Sequence, residues 1–311
     1  MKFTLAHFSD VHLAPLKAGD VFGEFRTKRL IGGVSWATRR RHQHERRIAD
    51  ALKADILAHQ PDHIAFTGDL VNIAATREFA EGAAWMTGFT TPEQMSFVPG
   101  NHDAYVRRAH ATGLAQVAQY AGSSAEAHPD EHFPFVKLKR NIALIGLSSA
   151  APQSLWSAGG HVGERQLNAL SAKLSDLRQR GFFRAVMIHH PPLPGLAKPR
   201  RALADAEKLE KVLASNGAEL VLHGHNHTTM FHTLATQTGK AHIIGVPSAS
   251  MGHGHTHEAA AWMAYDIDRK KGQWNTVYRM RRWDDAAGRF RDAETGELGH
   301  GPDAPATGAA S

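Results

Sequence analysis

The sequence predicts an α/β fold, and two observations carry that expectation. Short apolar runs alternate with amphipathic helical stretches over the first 228 residues, and five of the runs end in clusters of Asp, Asn and His. The runs at 3–8, 63–66, 95–98, 142–147, 184–188 and 219–222 have strand length. Between them, residues 164–180 place Leu167, Leu170, Leu174 and Leu177 at helical spacing, with Gly181 as a stop. Residues 204–215 repeat the pattern with Leu209, Val212 and Leu213 ahead of Asn216-Gly217. Ile48, Leu52 and Ile56 give an earlier helix one apolar face. After about residue 228 the helical pattern fades. Runs at 230–234, 241–246, 262–267 and 274–279 read as successive strands, expected to form a second sheet packed on the first. Residues 1–295 are expected to form one domain. Residues 296–311, with almost no large apolar side chain, are expected to be a disordered tail.

Composition narrows the chemistry. Of 311 residues, 42% are hydrophobic and 21% charged, the balance of a folded protein rather than a disordered one. The absence of cysteine excludes a disulfide scaffold, a thiolate metal site and a cysteine nucleophile together. No apolar run reaches the roughly 18 residues that span a bilayer. The first residues arrive at Asp10 too early for a signal peptide, so a cytoplasmic location is expected. The net charge of +6 is local. Arg26, Lys28, Arg29, Arg39, Arg40, Arg41, Arg46 and Arg47 lie together, opposed only by Glu45, and the rest of the chain is close to neutral. Such a segment faces an anion.

The five polar clusters follow their strands directly. They are Ser9-Asp10-Val11-His12, Thr67-Gly68-Asp69, Pro99-Gly100-Asn101-His102-Asp103, His189-His190-Pro191-Pro192 and His223-Gly224-His225-Asn226-His227. Ligand sites in α/β sheets assemble at the carboxyl ends of strands, so five such loops on one sheet edge are expected to share a cleft. Carboxylate, amide and imidazole donors without sulfur suit Mn, Fe, Zn or Co. Seven candidate ligands exceed one ion's needs but suit two ions sharing a carboxylate, a pair that can clamp a phosphoryl group and generate a hydroxide nucleophile near neutral pH. The expected activity is phosphoester hydrolysis.

In order and spacing these motifs resemble the signature of the calcineurin-like metallophosphoesterases, from Asp10-x-His12 through Gly68-Asp69, Gly100-Asn101-His102-Asp103 and His189 to Gly224-His225-x-His227. The resemblance implies a four-layer α-β-β-α sandwich of two mixed β-sheets flanked by helices. It implies one divalent ion on Asp10, His12, Asp69 and His227, and a second on Asp69, Asn101, His189 and His225. It further implies that His102 contacts the phosphate and protonates the leaving group as metal-bound hydroxide attacks, with Asp103 orienting its ring. The pattern favours His189 over His190 as ligand.

The Asp103 form of the third motif and the His189-His190-Pro191-Pro192 run resemble the phosphodiesterase branch, which includes cyclic-nucleotide and glycerophosphodiester enzymes. The substrate is therefore expected to be a small-molecule or lipid phosphodiester. An insertion at about 14–45 interleaves the basic cluster with Phe22, Phe25, Leu30, Ile31 and Trp36. It reads either as a solvated flap or as a lid suited to an anionic lipid surface, with Arg39, Arg40, Arg41 and His190 as candidate substrate contacts. On that second view the protein is peripheral to the inner face of a membrane and resembles the UDP-2,3-diacylglucosamine pyrophosphatases of lipid A synthesis. The same fold could also serve a nuclease, or a partner-binding scaffold that holds no metal. The chain carries no recognisable nucleic-acid module, so a nucleic-acid partner is not expected.

Overall fold

The computed structural model describes residues 2–13, 43–104, 113–122, 132–150, 158–252, 257–270 and 272–301. Twelve strands form two six-stranded mixed sheets among these residues. The strands are β1 (Phe3–Phe8), β2 (His63–Phe66), β3 (Met95–Phe97), β4 (Phe135–Lys139), β5 (Ile142–Gly146) and β6 (Phe183–Met187), then β7 (Leu220–His223), β8 (Met230–Thr236), β9 (Gly239–Gly245), β10 (Ala261–Lys270), β11 (Gln273–Asp284) and β12 (Arg289–Gly299). The first sheet runs β12-β11-β10-β1-β2-β3 and the second β4-β5-β6-β7-β9-β8. Helices α1 (Arg46–Ala58), α2 (Thr76–Thr87), α3 (Glu164–Gln179) and α4 (Ala206–Asn216) lie outside them, with a 3₁₀ helix at Leu114–Ala121.

Side-chain alternation along the strands builds the layers, because successive residues point to opposite faces. On β1, Phe3 and Leu5 enter the core between the sheets, while Ala6 and Phe8 pack with α1 and α2. On β10, Met263, Tyr265 and Ile267 face inward, whereas Trp262 and Ala264 face the helices. In the second sheet Leu144, Ala185, Met187, Leu220 and Leu222 complete the inner core, and Ile145, Val186 and Val221 meet α3 and α4. Ile48, Leu52 and Ile56 are the buried stripe of α1, and Leu167, Leu170, Leu174 and Leu177 that of α3. The result is the four-layer α-β-β-α arrangement.

Three expectations need correction. The strands after residue 228 do not make a sheet of their own: β8 and β9 extend the second sheet through β7, and β10 to β12 extend the first through β1. The five motif loops do not share one sheet edge. Three follow β1, β2 and β3 of the first sheet, and two follow β6 and β7 of the second. Residues 296–299 belong to β12, which pairs with β11 through Gly299, so the expected tail begins too early. The basic insertion, including Arg39, Arg40 and Arg41, lies outside the described residues apart from 43–45. Among the described residues no helix is long and apolar enough to cross a membrane.

Candidate metal centre

The parallel pairing of β1 with β2 continues past both strand ends into the first two loops. The Asp10 amide donates to Gly68 O (2.8 Å), His12 to Asp69 O (2.9 Å) and Leu13 to Leu70 O (2.9 Å). Asp10, His12, Asp69, His225 and His227 all hold positive φ, between 42° and 71°. Non-glycine residues enter this region at a cost, and its concentration at one place marks a functional site. Two glycines permit the crowding. Gly68 sits at φ +98°, where a Cβ would lie 2.7 Å from the Gly100 amide, and a Cβ on Gly100 would collide with the Asp69 carboxylate.

All seven candidate ligands converge in two groups. In the first, His227 Nε2 lies 3.1 Å from Asp10 Oδ1 and 3.2 Å from His12 Nε2, which in turn is 3.7 Å from Asp69 Oδ2. In the second, His189 Nε2 lies 3.3 Å from Asp69 Oδ2, 3.2 Å from Asn101 Oδ1 and 3.2 Å from His225 Nδ1. Asp69 Oδ2 therefore faces both groups. Donors about 2.1 Å from a shared ion stand about 3.0–3.4 Å apart, close to these spacings. The tautomers fit as well. His12 Nδ1 donates to Val71 O and His189 Nδ1 to Thr67 O, so both turn an Nε2 lone pair toward the carboxylates. The donor chemistry of these residues fits two divalent cations, with Asp69 facing both groups.

The electrostatics are those of a cation site. Burial opposes ionisation of Asp10 and Asp69, yet the imidazoles beside them hold both carboxyls below their usual range. Burial alone lowers the pKa of His189, but the Asp69 and Asp10 carboxylates outweigh it and push it up to about 9. The carboxylate charge that favours an imidazolium at this position would equally favour a metal cation.

His190 is not a substrate contact. It is fully buried, with Nδ1 on Ser149 Oγ (2.7 Å) and Nε2 donating to Ala158 O (3.0 Å). Burial and the neighbouring His189 lower its pKa to about 3, so it is a neutral spacer packed against His225, the ring centroids 4.4 Å apart and tilted by 42°. Asp103 also differs from expectation. Its carboxylate accepts the amides of Asp69 (2.8 Å), Gly100 (2.9 Å), Leu70 (2.9 Å) and Val71 (3.1 Å), while the group on His102 Nδ1 is the Asn72 carbonyl. Asp103 thus folds the loop that carries the bridging ligand, and Asn72 orients the His102 ring.

Residues 3–229 match the family model described as calcineurin-like phosphoesterase. The chain belongs to the calcineurin-like phosphoesterase family. This phosphoesterase is similar in fold to a dimetal phosphatase from Danio rerio, at 16% identity and a TM-score of 0.63, covering 96% of this chain and 99% of that one. It is also similar to a purple acid phosphatase from yellow lupin, at 12% identity and a TM-score of 0.60, covering 100% of this chain and 57% of that one. A 5′-nucleotidase precursor from Thermus thermophilus shares the fold at 12% identity and a TM-score of 0.51, with 96% and 55% covered. Comparison with curated proteins finds no match.

Several residues lining the cleft of this phosphoesterase are not anticipated by the motifs. Gln43, His44, Ala158, Arg201 and His257 surround His12, Asp69, Asn101, His102, His225 and His227. His44 is buried, offers a ring nitrogen within 4.8 Å of those of His12 and His227, and bonds Ser250 Oγ through Nδ1 (2.8 Å). No spacing rule finds it, because it enters from the far end of the insertion and is docked by a bridge between His44 and Met251.

Proposed function

We propose that this phosphoesterase hydrolyses phosphodiesters at a dinuclear centre, and that His102 protonates the departing alcohol. The observation that supports this best is the His102 ring in the cleft with Nδ1 donating to the Asn72 carbonyl. A carbonyl can only accept, so Nδ1–H persists through the reaction and a second proton at Nε2 is the one transferred to the leaving oxygen. Asp10, His12, Asp69 and His227 would hold one ion and Asp69, Asn101, His189 and His225 a second, and such ions would supply Lewis acidity toward the phosphoryl oxygens and the attacking water. The chain's own part is to hold those donors in place and to keep the acid oriented. An alkoxide is a poor leaving group, so a positioned acid matters most for alkyl diesters.

The test compares metal-stripped protein, with Mn added back, on bis(p-nitrophenyl) phosphate, p-nitrophenyl phosphate and a dialkyl phosphate diester whose released alcohol is assayed directly. Metal-dependent turnover favouring diesters is expected. His102→Ala is expected to lose roughly 10²–10⁴-fold, more where the leaving alcohol is more basic. Preferential monoester turnover, or a loss independent of the leaving group, refutes this assignment.

A second reading rests on the basic, apolar insertion at 14–45: a lipid diphosphate cleaved at the inner face of a membrane. It predicts that replacing Arg39, Arg40 and Arg41 by Gln releases the protein from anionic vesicles and slows lipid turnover. Unchanged binding removes it.

A further inference from the structure

We propose that Arg201 forms, at the lip of the metal centre, a subsite for a second phosphoryl group, so that the substrate is a diphosphate or a nucleotide-like diester carrying one anionic phosphoryl beyond the one cleaved. This rests on the phosphodiesterase reading. Among the described residues lining the cleft, the one acid is Asp69, which belongs to the metal centre, and the one permanent cation is Arg201. Among the described residues the other buried or partly buried arginines are each paired with a carboxylate: Arg184 with Glu219, Arg279 with Asp266, Arg281 with Asp55 and Arg282 with Glu258. Arg201 differs. Its hydrogen bond is to a backbone carbonyl, from Nη2 to His225 O at 2.6 Å, and no carboxylate among the described residues pairs with it. A half-buried guanidinium without a counter-ion is costly unless a ligand supplies the charge.

The side chain is also held in place. Pro199 opens a 3₁₀ turn closed by Arg201 N–H to Lys198 O (2.7 Å), and the chain on either side is tied to 158–160 by Ala158 N–H to Arg200 O and Gly160 N–H to Ala202 O. The bond to His225 O fixes one edge of the guanidinium. Its remaining donors form the planar fork that matches phosphoryl oxygens. Among the described residues the cleft offers no spare carboxylate to a cationic headgroup, so this subsite favours an anionic group over a choline-type one.

Binding and kinetics test the proposal separately. Equilibrium binding of ADP and AMP to the Mn-loaded protein, which differ by one phosphoryl group, is compared in the parent, Arg201→Met and Arg201→Lys, with metal content measured in each. Arg201→Met is expected to reduce the preference for ADP about ten- to hundredfold, and Arg201→Lys to restore part of it. The ratio of kcat/KM for a dinucleoside diphosphate to that for bis(p-nitrophenyl) phosphate is expected to fall likewise. An equal loss on both ligands, or no preference for ADP in the parent, overturns the subsite and leaves Arg201 as a support for the His225 loop. A shifted ADP preference in a protein that turns over neither diester sinks the diesterase reading while the subsite stands.

Discussion

Replacing Asp103 with Asn separates two roles that the sequence leaves fused. The side chain is isosteric, but one carboxylate oxygen becomes an amine that cannot accept a hydrogen bond. Each oxygen of Asp103 accepts two buried backbone N–H groups, so the variant orphans two donors beside the bridging Asp69 whichever way the amide turns. Charge-assisted buried bonds are worth about 1.5–3 kcal/mol each, giving a gross loss of about 3–6 kcal/mol. Relief works the other way. Burial and the Asp69 charge push the Asp103 carboxyl up to about 7, so neutralising it removes a like-charge contact. The net expectation is a loss of about 2–4 kcal/mol, with weakened retention of both ions because Asp69 Oδ2 faces both groups. Urea unfolding of the metal-loaded protein and metal analysis after dialysis read the two effects. If Asp103 instead acted through the His102 ring, the variant would unfold within about 1 kcal/mol of the parent and lose only turnover of poor leaving groups. That pattern would refute the structural role.

Three further outcomes follow from neighbouring features. His44→Ala is expected to weaken the first ion, the one on Asp10, His12, Asp69 and His227, about ten- to hundredfold and leave the second nearly unchanged, as Mn titration followed by electron paramagnetic resonance would show; equal retention of both ions refutes a role for His44. Lys137 donates to the carbonyls of Pro92, Met95 and Tyr120, each at 2.9 Å, so Lys137→Met is expected to destabilise by about 2–4 kcal/mol in urea melts. His63 and His300 are each buried as neutral rings, burial lowering the pKa of both to about 3. The unfolded chain binds the extra protons between about pH 6.5 and 3, so stability falls as pH drops through that window, by up to about 1.4 kcal/mol per pH unit for each ring. The double variant His63→Gln, His300→Gln is expected to flatten the slope by about twice that amount, and an unchanged slope contradicts it.

The chemistry of this site was legible because polar residues interrupt apolar strands at their carboxyl ends, and a strand end is visible in one sequence. Pairing between distant strands is not. Nothing local to β10 announces that it lies against β1, with Leu5 opposite Tyr265 and Ala6 opposite Ala264. Strand β12 escaped for a different reason: it is an exposed edge with only Phe290 and Leu298 buried among its hydrophobic residues, so its pattern looks like a polar loop. Helix α2 carries Gly82 in mid-helix, which weakens its helical signal, yet a Cβ there would press on Leu70 at 2.7 Å. At the site, side-chain to backbone bonds defeated the reading of roles. Asp103 and Asn72 both act through main-chain groups, which residue identity does not reveal.

The backbone of the centre shows how metal binding and stability trade against each other. Five of the proposed ligand residues sit at positive φ, each at a cost of order 1 kcal/mol for a side chain larger than glycine, and two buried carboxylates converge on the same space. Divalent cations would offset both costs, so the loaded protein is stabilised in proportion to metal affinity, whereas in the stripped protein only the neighbouring imidazoles relieve the repulsion. Asp10→Asn isolates this conflict. Asn tolerates the left-handed region, its oxygen can still accept the His225 amide, and its amine can donate to His227 Nε2. The variant is therefore expected to lose the first ion and most turnover, and to unfold in EDTA earlier than the parent by about 1 kcal/mol, because the imidazole attraction that holds the Asp10 carboxyl below its usual range is lost with the charge. In saturating Mn the gap widens, since only the parent gains the binding energy of that ion. Differential scanning calorimetry in the two buffers gives the two margins directly. A variant less stable than the parent by the same margin in both would show that the carboxylate holds the fold rather than the metal, and that the left-handed turns are maintained without it.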